Sequence, residues 1–274
     1  MAVTAVKHIR AMRGGSQPHL MQADDKHFYV VKFLNNAQHH RVLANEWLAA
    51  RLGSALGLPM PAAVQIEVPA TLVSSSPGLT VTMRGRALPC ASGLSFGSRV
   101  PVSRLGRPVY DYLPGTGPAV VENLADFAGM LVFDTWLCNC DQRQVIFCRP
   151  GGSGRLKAFM VDNGACFDTG RWCFPDSPRH GVYPIASVYS GVSGWSSFEP
   201  WLGRVESYNE GAICALAAEI PDVWCGDRYE LERLLACLVR RRARVRELLW
   251  AIHSSPGSPF HNWGPGVARF VVVA

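Results

Sequence analysis

The stretch HFYVVKFL, residues 27–34, is a run of β-branched and aromatic residues that predicts a buried strand. Side chains alternate along a strand, so Lys32 shares a face with Val30 and Phe28, and its methylene stem is expected against apolar neighbours. Lysine supplies only four of the 27 Lys and Arg residues of the chain. A lysine inside this strand therefore either reaches the strand edge or is held in place by an acid.

A glycine-rich turn precedes this strand. The sequence RGGSQ, residues 13–17, lies between predicted strands at 4–12 and 19–23. Paired glycines let the backbone approach a ligand and direct successive N–H groups at an anion such as phosphate. Taken alone, this turn is weak evidence for a ligand, and a simple hairpin that binds none is the favoured alternative.

A helix follows the strand and carries an acid that can pair with Lys32. The apolar spacing predicts this helix from Asn36, as its N-cap, to Gly57, with Glu46 beside the apolar stripe. A glycine loop, a strand lysine and a helix glutamate, in this order, are the parts with which a phosphotransferase holds nucleotide phosphates. The alternative is a surface lysine and a surface glutamate without a joint role.

Two further acids lie downstream. The loop NCDQRQ, residues 139–144, follows a predicted apolar helix at 124–137, and VDNG follows at 161–164. The runs QVIFC and KAFMV between them predict a hairpin with Asp141 and Asp162 at its open end. Phosphoryl transfer uses one acid to accept a hydroxyl proton and a second to hold magnesium. A helix cap at Asp141 and a turn aspartate at Asp162 are the structural alternatives.

The composition indicates a folded, soluble chain. It has 274 residues, 48% apolar and 18% charged, which is enough for one large domain or two lobes and argues against disorder. No apolar run approaches the roughly 20 residues that span a bilayer, and the N-terminus lacks a signal-peptide pattern. We therefore expect a cytoplasmic protein without a membrane partner. The nine cysteines form no C-x-x-C pair, so we expect most of them to be reduced and buried.

The predicted secondary structure changes near Pro108. Before it we predict strands, including 62–68 and 79–83, and after it mainly helices, the last of them long, at 228–253. Five arginines near the end of that helix predict a solvated face that complements the helix dipole, with a docking surface for an acidic partner as the alternative. The net charge of +6 is too modest to indicate a nucleic-acid partner.

The order RGGSQ, YVVKF, NEW, NCDQRQ and VDNG resembles that of the HipA-like kinases, a bacterial branch of the protein-kinase fold. More narrowly, it resembles the stand-alone HipA-like kinase domain proteins, and the similarity continues through LGLPMP, GLSFGSR and GWSSFEPWL. The resemblance implies an α+β, two-lobed protein-kinase-like fold with ATP and Mg²⁺ in the cleft. The expected parts are a small β-rich N-lobe at 1–107, a larger helical C-lobe at 108–255 and a C-terminal tail at 256–274.

The same resemblance implies roles for single residues. Lys32 would contact the nucleotide phosphates and pair with Glu46, Asp141 would be the catalytic acid or base, and Asp162 would hold the metal. The implied phosphate-loop positions are Gly14, Gly15, Ser16 and Gln17.

One position departs from the family pattern. Kinases of this type place an asparagine five residues after the catalytic aspartate as a second metal ligand, and this chain has Ile146 there. An isoleucine cannot coordinate magnesium, whereas Gln144 is close enough to substitute. Arg143 stands where toxin-type members have histidine.

The sequence therefore predicts an ATP- and Mg²⁺-dependent phosphotransferase, foremost a serine/threonine kinase of an unknown protein substrate. Ser16 is a candidate for self-modification, since a phosphate on it would repel ATP. Two alternatives stay open. One is a nucleotide-binding pseudokinase that acts as an interaction module, and the other is a kinase of a small molecule or lipid headgroup.

Overall fold

The computed structural model of the chain describes residues 2–102, 106–113 and 117–264. The first part consists of strands β1 (Val3–Ala11), β2 (His19–Ala23), β3 (Phe28–Lys32), β4 (Ala63–Val68), β5 (Thr80–Met83), β6 (Arg86–Pro89) and β7 (Gly93–Arg99). Five of these strands form a closed barrel in the order β1-β2-β3-β7-β4, while β5 and β6 form a separate hairpin. The strands predicted from the apolar runs are confirmed within two residues at most ends.

The interior of the barrel is filled by alternate side chains of its strands. Tyr29 and Val31 of β3 lie in this core with Met21 of β2 and Ile66 of β4. Because strand side chains alternate, Val30 and Lys32 point to the opposite face and line a cleft outside the barrel. The predicted placement of Lys32 on one face with Val30 is confirmed.

The first helix is shorter than predicted. The α-helices of the described residues are α1 (Val42–Ala55), α2 (Ala70–Ser75), α3 (Asp126–Leu137), α4 (Trp201–Glu206), α5 (Glu210–Ala218), α6 (Asp222–Cys225), α7 (Arg228–Arg241) and α8 (Val245–His253). The prediction of Asn36 as the N-cap of α1 is wrong, because the N-cap residue is Arg41. Asn36 instead donates from its amide to the carbonyl of Ser16, at 3.2 Å, and so ties the glycine turn to the loop before α1.

A small sheet follows the barrel. It consists of β8 (Val109–Tyr110), β9 (Gln144–Cys148) and β10 (Lys157–Val161) in the order β10-β9-β8. The predicted hairpin is confirmed as the antiparallel pair β9 and β10, in which Gln144 lies opposite Val161. This register brings the loop before β9 and the turn after β10 to the same end of the sheet.

The predicted long C-terminal helix is interrupted. The chain passes through a 3₁₀ turn at Arg242–Arg244 between α7 and α8. The expectation of a solvated arginine face is wrong for Arg241, which is 6% exposed. Its guanidinium donates to the carbonyl of Thr135 on α3 and pairs with Asp176, so burial is compensated by hydrogen bonds.

The core outside the barrel is a second, larger cluster. It contains Val42, Leu43 and Leu48 of α1 together with α3 and the C-terminal helices. The aromatic residues Phe198 and Trp201 belong to this cluster, and Trp195 packs against it. α1 thus shares its core with the helical part of the chain.

Three further sequence expectations concern the chain as a whole. All nine cysteines are free, and five are buried: Cys90, Cys138, Cys148, Cys166 and Cys225. Within the described ranges, no helix is long and apolar enough to cross a membrane. The expected parts 1–107, 108–255 and 256–274 include residues 1, 103–105, 114–116 and 265–274, which lie outside the described residues.

Candidate active site

Lys32 is the centre of a buried cluster of charges. Its Nζ atom contacts the Glu46 carboxylate and lies 2.7 Å from Oδ1 of Asp162. Lys32 and Glu46 are 5% and 2% exposed. Burial on its own would lower the pKa of Lys32, but the two carboxylates outweigh it and raise this pKa above its ordinary value. The ammonium is therefore charged at every physiological pH.

Asp162 lies in a turn at the end of β10. Burial favours its neutral form, but the charge and hydrogen bond of Lys32 outweigh that effect and lower the pKa of the carboxyl. Its backbone has φ +58°, in the left-handed region, which aspartate tolerates better than most residues. Gly164 permits close contact with α1, because a Cβ there would lie 2.7 Å from Val42.

Asn45 holds the segment that follows this turn. Its side-chain amide donates to the carbonyls of Gly164, Cys166 and Thr169 at 2.8–2.9 Å. Its Oδ1 accepts the indole N–H of Trp172 at 2.7 Å. One buried asparagine of α1, next to Glu46, thus fixes the path of the chain from 164 to 172.

Asp141 lies in the loop between α3 and β9, with its side chain exposed to the same cleft that Asp162 lines. Its Oδ1 accepts the N–H of Gln142 at 2.8 Å, and its carbonyl accepts the N–H of Gly181 at 3.0 Å. The loop is therefore anchored through its backbone while one carboxylate oxygen stays available to a ligand.

The glycine turn closes the cleft on the barrel side. Gly14 adopts φ +133°, a conformation that favours glycine, and both Gly14 and Ser16 line the cleft. Gly15 lies against Gln38, whose amide would be 2.9 Å from a Cβ at that glycine. The Gln17 side chain is bonded to the backbone of Thr82 on β5. The structure thus brings Gly14 and Ser16 to the cleft and directs the Gln17 amide to the neighbouring hairpin.

The cleft has a volume of about 1210 Å³ and is lined by two kinds of group. Gly14, Ser16 and the Lys32 ammonium can contact an anion. Six apolar side chains also line it, namely Leu20, Val30, Met60, Phe96, Val145 and Met160. A molecule with a flat apolar part and an anionic part fits this arrangement.

The donor set near Asp162 fits a magnesium ion. The described part of the chain contains no cluster of three or more His, Cys, Asp or Glu side chains that could hold a metal. Mg²⁺ does not require three protein ligands, since one or two carboxylates together with substrate phosphates and water complete its coordination shell. Asp162 has a carboxylate of this kind, and Gln144, which pairs with Val161 in the sheet, has an exposed side chain that lines the same cleft. Ile146 also lines the cleft and offers no oxygen.

Sequence reasoning missed three buried polar residues behind this surface: Asn45, Asp134 and Asn163. A signal was present for two of them. Asp134 directly follows the apolar run FAGMLVF, residues 127–133, and Asn45 is next to Glu46 in a helix buried on most sides. A polar residue in such a position requires a buried partner. No pattern in the sequence indicates which partner it finds.

Two solved structures are similar to this chain across 93% of its length. The Helicobacter pylori proinflammatory kinase CtkA has a TM-score of 0.59 and 14% identity, with all of its chain covered. The Golgi casein kinase with Mn/ADP bound has a TM-score of 0.53 and 13% identity, with 74% of its chain covered. At these identities the similarity shows the fold alone, which is a kinase fold of mixed α and β structure.

The sequence comparisons are more specific. No curated protein matches the chain. The family model described as HipA-like kinase matches residues 5–147, a span that contains the glycine turn, Lys32, Glu46 and Asp141. This match covers more than half of the chain. The chain therefore belongs to the HipA-like kinase family.

Proposed function

We propose that this chain is an ATP- and Mg²⁺-dependent phosphotransferase that phosphorylates serine or threonine of a protein. The observation that carries the proposal is the Lys32 ammonium, held by Glu46 and Asp162 in a cleft that Asp141 also lines. A buried lysine, a glycine turn and two separated acids are the parts that phosphoryl transfer requires. In this proposal the N-lobe, 1–107, and the C-lobe, 108–255, enclose the nucleotide.

The nucleotide is proposed to lie along the cleft. The apolar wall around Met60 and Met160 suits a base, while Gly14, Ser16 and Lys32 suit the phosphates. Two carboxylates fix the position of the Lys32 ammonium, which has a third N–H that a phosphate oxygen can accept. Glu46 acts as the residue that orients Lys32.

Asp141 is proposed to orient the acceptor hydroxyl and to accept its proton. Its carboxylate faces the cleft, and its loop is fixed by the backbone bond from Gly181. Asp162 and Gln144 are the residues that would hold the metal. A bound Mg²⁺ supplies charge neutralisation on the phosphates.

The decisive experiment measures ATP binding and phosphate transfer on the same purified protein. We expect transfer from ATP with Mg²⁺, and we expect Asp141→Ala to lower it by about 100-fold or more while ATP affinity stays within a few-fold. Asp111→Ala is the matched control, because Asp111 is an exposed acid that also lines the cleft. Equal loss in both variants would contradict the role of Asp141.

A second candidate function is a nucleotide-binding pseudokinase. The observation that favours it is Ile146, an apolar side chain on the cleft wall where the family pattern has a metal ligand. The two functions separate cleanly, since a pseudokinase binds ATP but transfers no phosphate in the unmodified protein. Transfer to a small hydroxyl compound without transfer to protein would instead favour the small-molecule or lipid kinase.

Ser16 is proposed as a site of self-modification. It is 3% exposed and its carbonyl is held by Asn36, so the turn must open before the hydroxyl can be phosphorylated. A phosphate there would occupy the region proposed for the nucleotide phosphates and repel ATP. Mass spectrometry after incubation with ATP should detect phosphate on Ser16 and none in Ser16→Ala at that position. Absence of the modification in an active preparation would rule the idea out.

A further inference from the structure

Arg143 and Asp134 form an ion pair that is fully buried beneath the candidate active site. Both side chains are 0% exposed. Nε of Arg143 donates to Oδ2 of Asp134 at 2.7 Å, and Nη2 contacts Oδ1. This fork-like pairing leaves one guanidinium nitrogen, Nη1, to bind elsewhere.

That third nitrogen reaches the turn that carries Asp162. Nη1 donates to the carbonyl of Val161 at 2.9 Å and to Oδ1 of Asn163 at 3.1 Å. These two residues flank Asp162 on either side. One guanidinium therefore holds the backbone before the proposed metal ligand and the side chain after it.

The other end of the pair fixes the loop of Asp141. Asn139 donates from its amide to Oδ1 of Asp134 at 3.1 Å and accepts the N–H of Asp141 at 3.3 Å. Gly181, which donates to the carbonyl of Asp141, packs so closely that a Cβ there would lie 2.2 Å from Cβ of Asp134. Asp141 is thus held between residues that contact Asp134.

The network continues to the lysine. The N–H of Asn163 donates to Oε1 of Glu46 at 3.0 Å, and Glu46 contacts Lys32. A chain of buried bonds therefore runs from the Asp141 loop, through Arg143 and Asn163, to Glu46 and Lys32. A lysine in place of Arg143 could not reproduce it, because an ammonium is a point charge without the planar fork.

We propose that Arg143 is a positioning residue for phosphoryl transfer, whose buried guanidinium sets the separation of Asp141 and Asp162. The proposal rests on the function assigned to these two acids above. It predicts a loss in kcat rather than in ATP affinity, because the barrier depends on the relative placement of acceptor base and metal ligand, whereas binding depends on the cleft surface.

Two variants separate positioning from folding. Arg143→Lys keeps a positive charge beside Asp134 but removes the bonds to Val161 and Asn163. The double variant Asp134→Leu with Arg143→Met replaces the whole pair by apolar side chains. It leaves no unpaired buried charge, although the Val161 carbonyl and the Asn139 and Asn163 side chains lose a partner. Arg241→Met is the matched control, because Arg241 is also a buried arginine bonded to a carbonyl and an aspartate but lies outside the network.

Steady-state kinetics and hydrogen exchange are measured on all three variants and the unmodified protein. We expect kcat to fall about 100-fold in the double variant, and less in Arg143→Lys, with ATP affinity within threefold. Backbone amides at 138–144 and 161–166 should exchange about tenfold faster in Arg143→Lys and in the double variant than in the unmodified protein. Arg241→Met should leave kcat and both segments unchanged, with thermal melting reporting any general loss of stability.

Failure of the positioning role can be distinguished from failure of the proposed kinase function. Unchanged exchange in both segments, in folded protein, overturns the positioning role whether or not phosphate is transferred. Faster exchange with unchanged kcat in an active enzyme also overturns it. If the unmodified protein transfers no phosphate, the proposed kinase function fails, and the exchange data alone then decide whether Arg143 positions the two acids.

Discussion

The side-chain amide of Gln17 makes two hydrogen bonds with the backbone of Thr82, one as donor and one as acceptor, as a neighbouring strand would. The Gln17 amide donates to the Thr82 carbonyl at 2.8 Å and accepts the Thr82 N–H at 2.7 Å. Gln17 ends the glycine turn, and its N–H donates to the carbonyl of Gly14 at 3.0 Å. The turn that closes the cleft is therefore tied to the β5 and β6 hairpin through one side chain.

Removing this amide should loosen the glycine turn. In Gln17→Ala both bonds are lost, each with a net contribution of about 1 kcal/mol, and we expect ATP affinity to fall about fivefold. Calorimetric titration with ATP measures the change. Thr82→Ala is the control, because the Thr82 backbone makes both bonds and survives the substitution. Equal ATP affinity in the two variants would show that the hydrogen bonds between Gln17 and Thr82 do not affect nucleotide binding.

Lys32→Arg should abolish most transfer activity. The side chain lies in a closely packed position, 5% exposed, and a larger guanidinium costs about 1–3 kcal/mol in such a site. It would also move the positive charge away from the point between Glu46 and Asp162, for which we expect a loss of about 100-fold in kcat. Lys157→Arg, on β10, controls for the substitution itself. Unchanged transfer in Lys32→Arg would remove the basis for the proposed site.

Ile146→Asn should raise the affinity of the cleft for Mg²⁺. The new amide oxygen would stand on the cleft wall two residues beyond Gln144, and an added oxygen ligand should tighten Mg²⁺ binding in the presence of ATP about tenfold. A titration of Mg²⁺ against transfer rate gives the apparent constant. Ile146→Ala removes the same apolar bulk without adding a ligand. If both variants respond alike, position 146 contributes space and not coordination.

The Asp162 carboxylate should make stability depend on pH in the acid range. Its pKa is lowered in the folded state, so its ion pair with Lys32 contributes fully above the unfolded pKa of about 4 and is lost as pH falls through the folded value. Asp162→Asn should therefore destabilise the protein by about 2 kcal/mol at pH 7 and progressively less toward pH 3. Urea unfolding across this range tests the trend. A pH-independent difference, like that expected of exposed Asp111→Asn, would contradict it.

The sequence was informative where a short pattern determines local structure. The alternation in FYVVK placed Lys32 outside the barrel core, and the runs QVIFC and KAFMV paired as expected. Both outcomes depend on neighbours a few residues apart. The order of motifs also indicated the family, since it depends on sequence alone.

Buried polar partners could not be derived in this way. Asn163 meets Glu46 across 117 positions of sequence, and Arg241 meets Thr135 across 106. Such pairs form only after the helices have packed, so no local periodicity reports them. Asn36 illustrates the same limit on a smaller scale, because its tertiary bond to Ser16 competes with the capping role that its residue type favours.

The position of α1 has a mechanical consequence. Glu46 stands on a helix whose apolar residues belong to the larger cluster, whereas Lys32 stands on a strand of the barrel. The same cluster includes Phe96 of β7, which lies opposite Lys32 in the barrel, so α1 packs against the barrel as well as against the later helices. Asp162 follows β10 of the separate small sheet, so a motion that widened the cleft between β3 and β10 would have to break its ion pair with Lys32. The charged cluster therefore opposes opening of the cleft.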